Sequence, residues 1–253
     1  MTDISFQIAS DLHIEYKNDA VPDPLYYITP NADVLILAGD IGSLYKPKQL
    51  EEFLRRISEY FKLVVYVPGN HEYYRIDDIE VQDMASLNWK LRQIENNIEN
   101  LNVLSCQSII IGDICIAGCT LWSSLKINIP KFLVRINGIN DNIYNQMYQD
   151  SLFYLNNTIK NCREKKLKLI VVTHYAPTYI VLEGSKKKEK FYSLYASNLE
   201  HLMKKENMLV WVYGHVHNNY DYITEGGTRL IGNQVGKPKD CINNYNKSLV
   251  LTV

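Results

Sequence analysis

The stretch Leu63-Val64-Val65-Tyr66-Val67-Pro68-Gly69-Asn70-His71-Glu72 carries the pattern on which the rest of the chain is built. Its first half is an unbroken apolar run rich in β-branched residues. Such a run leaves no polar face for water and reads as a strand covered on both sides. Pro68 and Gly69 end it, and Asn70, His71 and Glu72 follow just past its carboxyl end. The same order recurs on either side. Residues 5–9 lead to Asp11-Leu12-His13, residues 34–38 to Gly39-Asp40, residues 169–173 to His174, and residues 209–213 to Gly214-His215-Val216-His217. Five of the six histidines fall in these clusters, and only His201 lies apart, where a surface or boundary position is expected.

Further strands are predicted over residues 108–111, 114–118, 228–231 and 248–253. Gly112-Asp113 separates two of them as a hairpin turn, and the order Gly-Asp favours type II′. Helices are predicted over residues 47–60, 79–98, 139–163 and 193–205. The first has Pro47 in its first turn and Leu50, Phe53, Leu54 and Ile57 on one face. The third is opened by Asn140 or Asp141 as N-cap. Alternating strands and helices imply parallel pairing, while the hairpin and the strand-rich C-terminal part add antiparallel strands. The expectation is an α/β fold, a four-layer α/β/β/α sandwich of two mixed β-sheets flanked by helices, within one domain over residues 1–253.

With 27 basic against 28 acidic residues, the net charge does not call for nucleic acid or an anionic membrane as partner. No run approaches the length of a membrane span, and the first residues lack a basic then apolar leader, so a soluble cytoplasmic protein is expected. Five cysteines without close pairing read as reduced and mostly buried thiols. Trp89, Trp122 and Trp211 read as core or boundary aromatics. The lysine-rich residues 183–190 read as a solvated loop, part of a lid after His174, rather than as a nucleic-acid contact.

Strand direction gathers the loops beyond the carboxyl ends of parallel strands at one edge of a sheet. Residues at i and i+2 in extended backbone share a face, so Asp11 with His13, and His215 with His217, can serve one centre. Singly, each cluster has a plainer explanation: Asp40 as a cap, Gly-Asn-His-Glu as a turn, a lone histidine as a hydrogen-bonded structural residue. Together they point to a metal centre. Carboxylates and imidazoles without thiolates suit Mn²⁺, Fe²⁺, Zn²⁺ or Co²⁺.

Asp-x-His, Gly-Asp, Gly-Asn-His-Asp/Glu, a lone His and Gly-His-x-His, in that order from Asp11 to His217, resemble the signature of the calcineurin-like metallophosphoesterase superfamily. Residues 118–123 and the segment around Asn140-Asp141 also resemble a small, poorly characterised bacterial and viral subgroup. The resemblance implies two divalent metal ions. Asp11, His13, Asp40 and His217 would hold one; Asp40, Asn70, His174 and His215 would hold the other, with Asp40 as the bridge. It further implies phosphoester hydrolysis by a metal-bridging hydroxide, with His71 facing the substrate as general acid, kept protonated by Asp11 or another carboxylate. Asn70, His71, Tyr73 and Arg75 are the candidate substrate-binding residues.

Gly39-Asp40 is not followed by the Asp-Arg pair of the phosphoprotein phosphatase branch. A small nucleotide-like phosphoester, with phosphodiesters favoured, is therefore the expected substrate. A superfamily nuclease acting on nucleic acid is the alternative, as is a non-catalytic scaffold of the same fold. Retention of His71 and of all seven ligand positions favours catalysis over the scaffold.

Overall fold

The structure, a computed structural model, describes residues 4–184 and 187–251. β1 (Phe6–Ala9), β2 (Val34–Ala38), β3 (Leu63–Val67) and β4 (Leu101–Val103) lie side by side in parallel, and β11 (Val250–Leu251) adds antiparallel to the free edge of β1. The second sheet contains β5 (Gln107–Ile111), β6 (Ile114–Cys119), β7 (Lys168–Thr173), β8 (Val210–Tyr213), β9 (Asp221–Ile223) and β10 (Arg229–Gly232). Its order is β5-β6-β7-β8-β10-β9, with the four inner strands parallel and both edge strands antiparallel. Three helices, α1 (Pro47–Ser58), α2 (Met84–Asn96) and α3 (Asp141–Glu164), complete the expected four layers: α1 and α2 pack together on the side of the first sheet, and α3 packs on β6 and β7.

The continuous apolar runs follow from this layering. Phe6, Ile8, Val34, Ile36, Val65, Val67, Ile116, Ile170, Val172, Val212 and Ile231 fill the space between the two sheets. Their alternates, among them Leu35, Leu37, Val64, Tyr66, Ala117, Val171 and Trp211, belong to the second core under the helices. The inner strands thus bury both faces, and their two-residue period is hidden in the sequence because both faces are dry, whereas the edge strands β5 and β9 are largely exposed. Inward positions are mainly Val and Ile, whose branched side chains fill the roughly 10 Å gap between stacked sheets.

The local signals act as read in several places. Ile111 pairs with Ile114 around Gly112-Asp113, and of the two turn residues Gly112 alone has a positive φ (62°), the type II′ pattern. Asn140 caps α3 by accepting from the Ile143 amide at 3.0 Å. Asp83 caps α2 by accepting from Ser86 N at 2.7 Å, so that helix starts later than the predicted residue 79. Cys115, Cys119 and Cys162 are buried, and Cys106 and Cys241 are exposed; all are free thiols.

Two expectations fail, and two short strands went unpredicted. Residues 193–205 form no α-helix; short 3₁₀ turns at Glu189–Leu194 and Glu200–Leu202 flank a segment whose amides bond elsewhere. Ser197 N donates to Ala176 O and Leu199 N to Pro177 O, so tertiary pairing with the His174 loop replaces the helical ladder. Trp89 is 65% exposed on α2, whereas Trp122 and Trp211 are buried. β4 and β9 were not predicted because three-residue strands carry too little periodicity to detect. The predicted strand 248–253 is seen as β11, its last two residues lying outside the described residues.

Candidate metal centre

The carboxyl ends of β1, β2, β3, β7 and β8 meet at one edge of the sandwich. The route from strand to site is not the extended backbone expected. Asp11 (φ 55°), His13 (φ 50°), Asp40 (φ 53°), His215 (φ 70°) and His217 (φ 50°) all adopt the left-handed conformation. L-residues visit it at a cost, and runs of such residues cluster at functional sites. Here the left-handed turns fold the chain back on itself. His13 N donates to Asp40 O and Asp11 N to Gly39 O, which ties the first two loops together.

The motif glycines serve close approach. A Cβ on Gly69 would fall on the Asp40 carboxylate and backbone nitrogen and on the His174 ring, and one on Gly39 would fall on His174. The final acid of the motif, Glu72, is fully buried. It accepts from Ile41 N (2.8 Å), Gly69 N (2.8 Å), Asp40 N (3.1 Å) and Tyr66 Oη (2.6 Å), binding the second loop to the third. Burial and the neighbouring Asp40 charge push its carboxyl up to about 8, against the pull of these donors.

All seven residues named as ligands converge, and they do so as two groups. Asp11, His13 and His217 form one, with His217 Nε2 3.1 Å from Asp11 Oδ1 and 3.1 Å from His13 Nε2. Asp40, His174 and His215 form the other, with His174 Nε2 3.2 Å from Asp40 Oδ1 and 2.9 Å from Asn70 Oδ1. Asp40 Oδ2 turns the opposite way, 3.8 Å from His13 Nε2, so its two oxygens face the two groups. Ligand atoms about 3 Å apart match the spacing that adjacent corners of a coordination shell would have with metal–ligand bonds of about 2.1 Å.

The rear of each imidazole is fixed as well. His13 Nδ1 lies 3.0 Å from Glu15 Oε1, His217 Nδ1 2.5 Å from Asp240 Oδ2, His174 Nδ1 2.9 Å from the Ala38 carbonyl, and His215 Nε2 3.2 Å from the Leu194 carbonyl. Carboxylates and carbonyls accept, so each ring carries its N–H at the rear and presents its other nitrogen to the cluster. This is the tautomer a metal requires, set in the manner common to metal-binding histidines. The residues therefore fit a pair of divalent cations with nitrogen and oxygen ligands.

Charge in the cluster is self-consistent. The imidazoles hold the Asp11 and Asp40 carboxyls below the usual carboxylate range in spite of burial. Burial opposes protonation of His174 and His217, but Asp40 raises His174 to about 9, and Asp11 with Asp240 raises His217 to about 8. Burial and the His174 charge hold His215 well below the ordinary histidine value.

His71 stands beside this cluster, its ring edge-on to His13 at 4.5 Å and tilted against Tyr74 at 4.8 Å. Its acid partner is Glu15, not Asp11: Nδ1 lies 2.9 Å from Glu15 Oε1, the oxygen that also faces His13. Burial pulls the His71 imidazole below its ordinary value, and Asp40 and Glu15 oppose it. Tyr73 is buried, donates its hydroxyl to Asn88 Oδ1 at 2.7 Å and packs near Trp122, so it presents nothing to the cleft. Tyr74, next in sequence, lines it. Arg75 lines a smaller cavity of about 250 Å³ on the other side of His71, with Lys46 and Arg135.

Glu15 and Asp240 were not anticipated. Glu15 extends Asp11-x-His13 by one more alternate position, a signal the sequence did contain. Asp240 is 23 residues beyond His217, in a loop without a motif, and only folding brings it near. His201 is exposed and remote, as expected.

Two stacked mixed sheets carrying paired nitrogen–oxygen clusters at their carboxyl edge define a metallophosphoesterase fold. The chain belongs to the calcineurin-like phosphoesterase family, whose profile matches residues 4–219. It is 26% identical over 275 residues to an uncharacterized protein of Acanthamoeba polyphaga mimivirus, covering 94% of this chain and 92% of that one. Its fold is similar to that of phosphopantetheinyl hydrolase from Mycobacterium tuberculosis (TM-score 0.74, 15% identity, 99% of this chain and 96% of that one). It is also similar to that of a dimetal phosphatase from Danio rerio (TM-score 0.54, 11% identity, 90% and 86%). No helix among the described residues is long and apolar enough to cross a membrane.

Proposed function

We propose that this protein is a dinuclear-metal phosphoesterase acting on a small nucleotide-like phosphoester, with phosphodiesters favoured over phosphoproteins. The observation that carries the reading is the set of four histidines, each with its rear nitrogen held by a carboxylate or carbonyl and its other nitrogen turned to a shared cluster. Asp11, His13, Asp40 and His217 would hold one cation, and Asp40, Asn70, His174 and His215 the other. Two divalent cations there, Mn²⁺, Fe²⁺, Zn²⁺ or Co²⁺, supply Lewis acidity toward a phosphoryl oxygen and make bound water a better nucleophile.

The chain's own contribution is position and proton. Asp40 divides its oxygens between the two groups, and its Oδ1 also accepts from the His71 amide at 2.8 Å, fixing the catalytic loop to the bridge. His71 holds its Nδ1 proton toward Glu15, so its Nε2 is the atom that can serve a leaving-group oxygen. A phosphoester brought next to that ring adds negative charge and favours the imidazolium, which offsets the effect of burial and lets His71 act as general acid. The cavity over the cluster measures about 560 Å³, large enough for a small organic phosphoester.

The test is a panel of mono- and diesters assayed with Mn²⁺ and with chelator. Turnover should vanish on chelation and fall by at least about a thousandfold in Asp40→Ala. Activity that survives both treatments sinks the reading, and a wild type inert on every ester but able to bind metal and a protein partner would favour the scaffold.

A further inference from the structure

The walls of the cavity over the metal centre have a composition that cation binding does not explain. Beside Asp40, Asn70, His71, His215 and His217 they include four lysines, Lys187, Lys188, Lys237 and Lys239, and an aromatic and apolar side formed by Phe132, Leu133 and Phe191. Phe132 is 76% exposed and lies on the same cavity wall as Leu133 and Phe191, where the three form an apolar patch. Asp40 and Asp240 are the carboxylates in this lining, and both are engaged. Asp40 faces His174, while Asp240 meets His217 Nδ1 and accepts from Lys237 N at 2.8 Å. The four lysines outnumber these two carboxylates in the lining, which gives the cavity wall a positive balance.

Two of the lysines are tied to the metal-centre loops. Lys187 Nζ donates to the Val216 carbonyl, between His215 and His217, and lies 5.0 Å above the Tyr195 ring. Lys237 directly follows Gly236, whose amide donates to Asp11 O, and its charge is felt at both His71 and Asp240. The lysines stand on the wall that surrounds the cluster and His71.

Building on the phosphoesterase reading above, we propose that the lysine wall binds a second phosphate of the substrate, so that the site selects phosphoesters bearing two phosphates on a flat or apolar body. Phe132 and Phe191 offer the face against which such a body lies, and Lys237 and Lys239 are the residues that distinguish two phosphates from one. A lysine ammonium is a compact charge suited to a phosphate at a cavity rim.

Calorimetric titration of the full chain in Mn²⁺ with adenosine 3′,5′-bisphosphate and with adenosine 5′-monophosphate tests this. Wild type should bind the bisphosphate at least tenfold more tightly. In the Lys237→Ala/Lys239→Ala variant that ratio should fall at least tenfold, and Lys237→Arg/Lys239→Arg should restore most of it. Equal affinities in wild type, or a ratio unchanged by the alanine pair, overturn the proposal. Hydrolysis of bis(4-nitrophenyl) phosphate, followed in parallel, reports separately on the phosphoesterase reading. Absence of turnover on this diester and on every monoester of the panel would defeat that reading and leave the binding ratio to decide the second phosphate.

Discussion

The floor and the walls of the cavity are built by different means. The floor consists of strand ends: the seven proposed ligand positions, Glu72 beneath them and glycines that allow the loops to touch, with buried hydrogen bonds tying the second loop to the first and third. The walls are loops, from residues 130–134, 187–195 and 235–240, whose exposed Phe132, lysines and Asp240 reach the same space from distant parts of the chain. A floor made of sheet edges holds charged groups within a few tenths of an ångström, as catalysis demands. Walls made of loops can vary without disturbing it, as substrate choice demands.

This contrast predicts a graded series of effects. His71→Ala, on the floor but outside both ligand groups, should keep its metal and lose about 10² to 10⁴ in turnover, as expected for removal of a general acid. Metal analysis beside steady-state kinetics checks it, and loss of bound metal would reassign His71 to the ligands. Asp240→Asn sits at the boundary between wall and floor. It weakens the acceptor behind His217 and should reduce metal affinity by about 10- to 100-fold, read from titration with Mn²⁺. An unchanged affinity would make Asp240 purely a wall residue.

Gly69→Ala inserts a methyl where the Asp40 backbone and carboxylate already lie. It should destabilise the fold by about 1 to 3 kcal/mol in denaturant titration. A neutral result would show that the floor is looser than its hydrogen bonds indicate. The smallest effect is in proton release on metal binding. His174 is raised to about 9 and His217 to about 8, both above the 6.5 of an unperturbed histidine. Each therefore carries a proton at pH 7 that a cation must displace. Calorimetry in buffers of different ionisation heat should show roughly two protons released per protein at pH 7, falling toward none above pH 9, with metal affinity rising over that interval. The same shifts stabilise the metal-free fold fully below pH 6.5, and that contribution fades as pH rises through 8 to 9.

The floor was legible in the sequence and the walls were not. Apolar runs ending in Asp11-x-His13, Gly39-Asp40, Asn70-His71, His174 and His215-x-His217 each place their ligand next to a strand end, so topology alone carries them to one edge. The error lay in the local conformation: an extended i, i+2 pair was expected, and the chain instead turns left-handed at both members of each pair. No residue pattern announces that: Asp and His enter the left-handed region more often than most residues, but which of them do so is fixed by the neighbouring loops that hold them. Residues 193–205 failed for the related reason that their amides pair with the 176–177 backbone, a partner invisible to helix propensity. Tyr73 and Tyr74 show the limit most sharply: adjacent and chemically alike, one is locked into the core by Asn88 and the other lines the cleft.

The sequence by itself determined the two dry-faced sheets and the edge at which their loops meet, because these follow from hydrophobic period and strand direction; the seven proposed ligands came from the family resemblance of the motifs at that edge. Only the tertiary structure decided which acid stands behind each imidazole, that Glu15 rather than Asp11 partners His71, and that four lysines share one cavity with the metal centre. Those relations join residues distant in sequence, 56 positions apart for Glu15 and His71, and depend on how loops close over a finished scaffold.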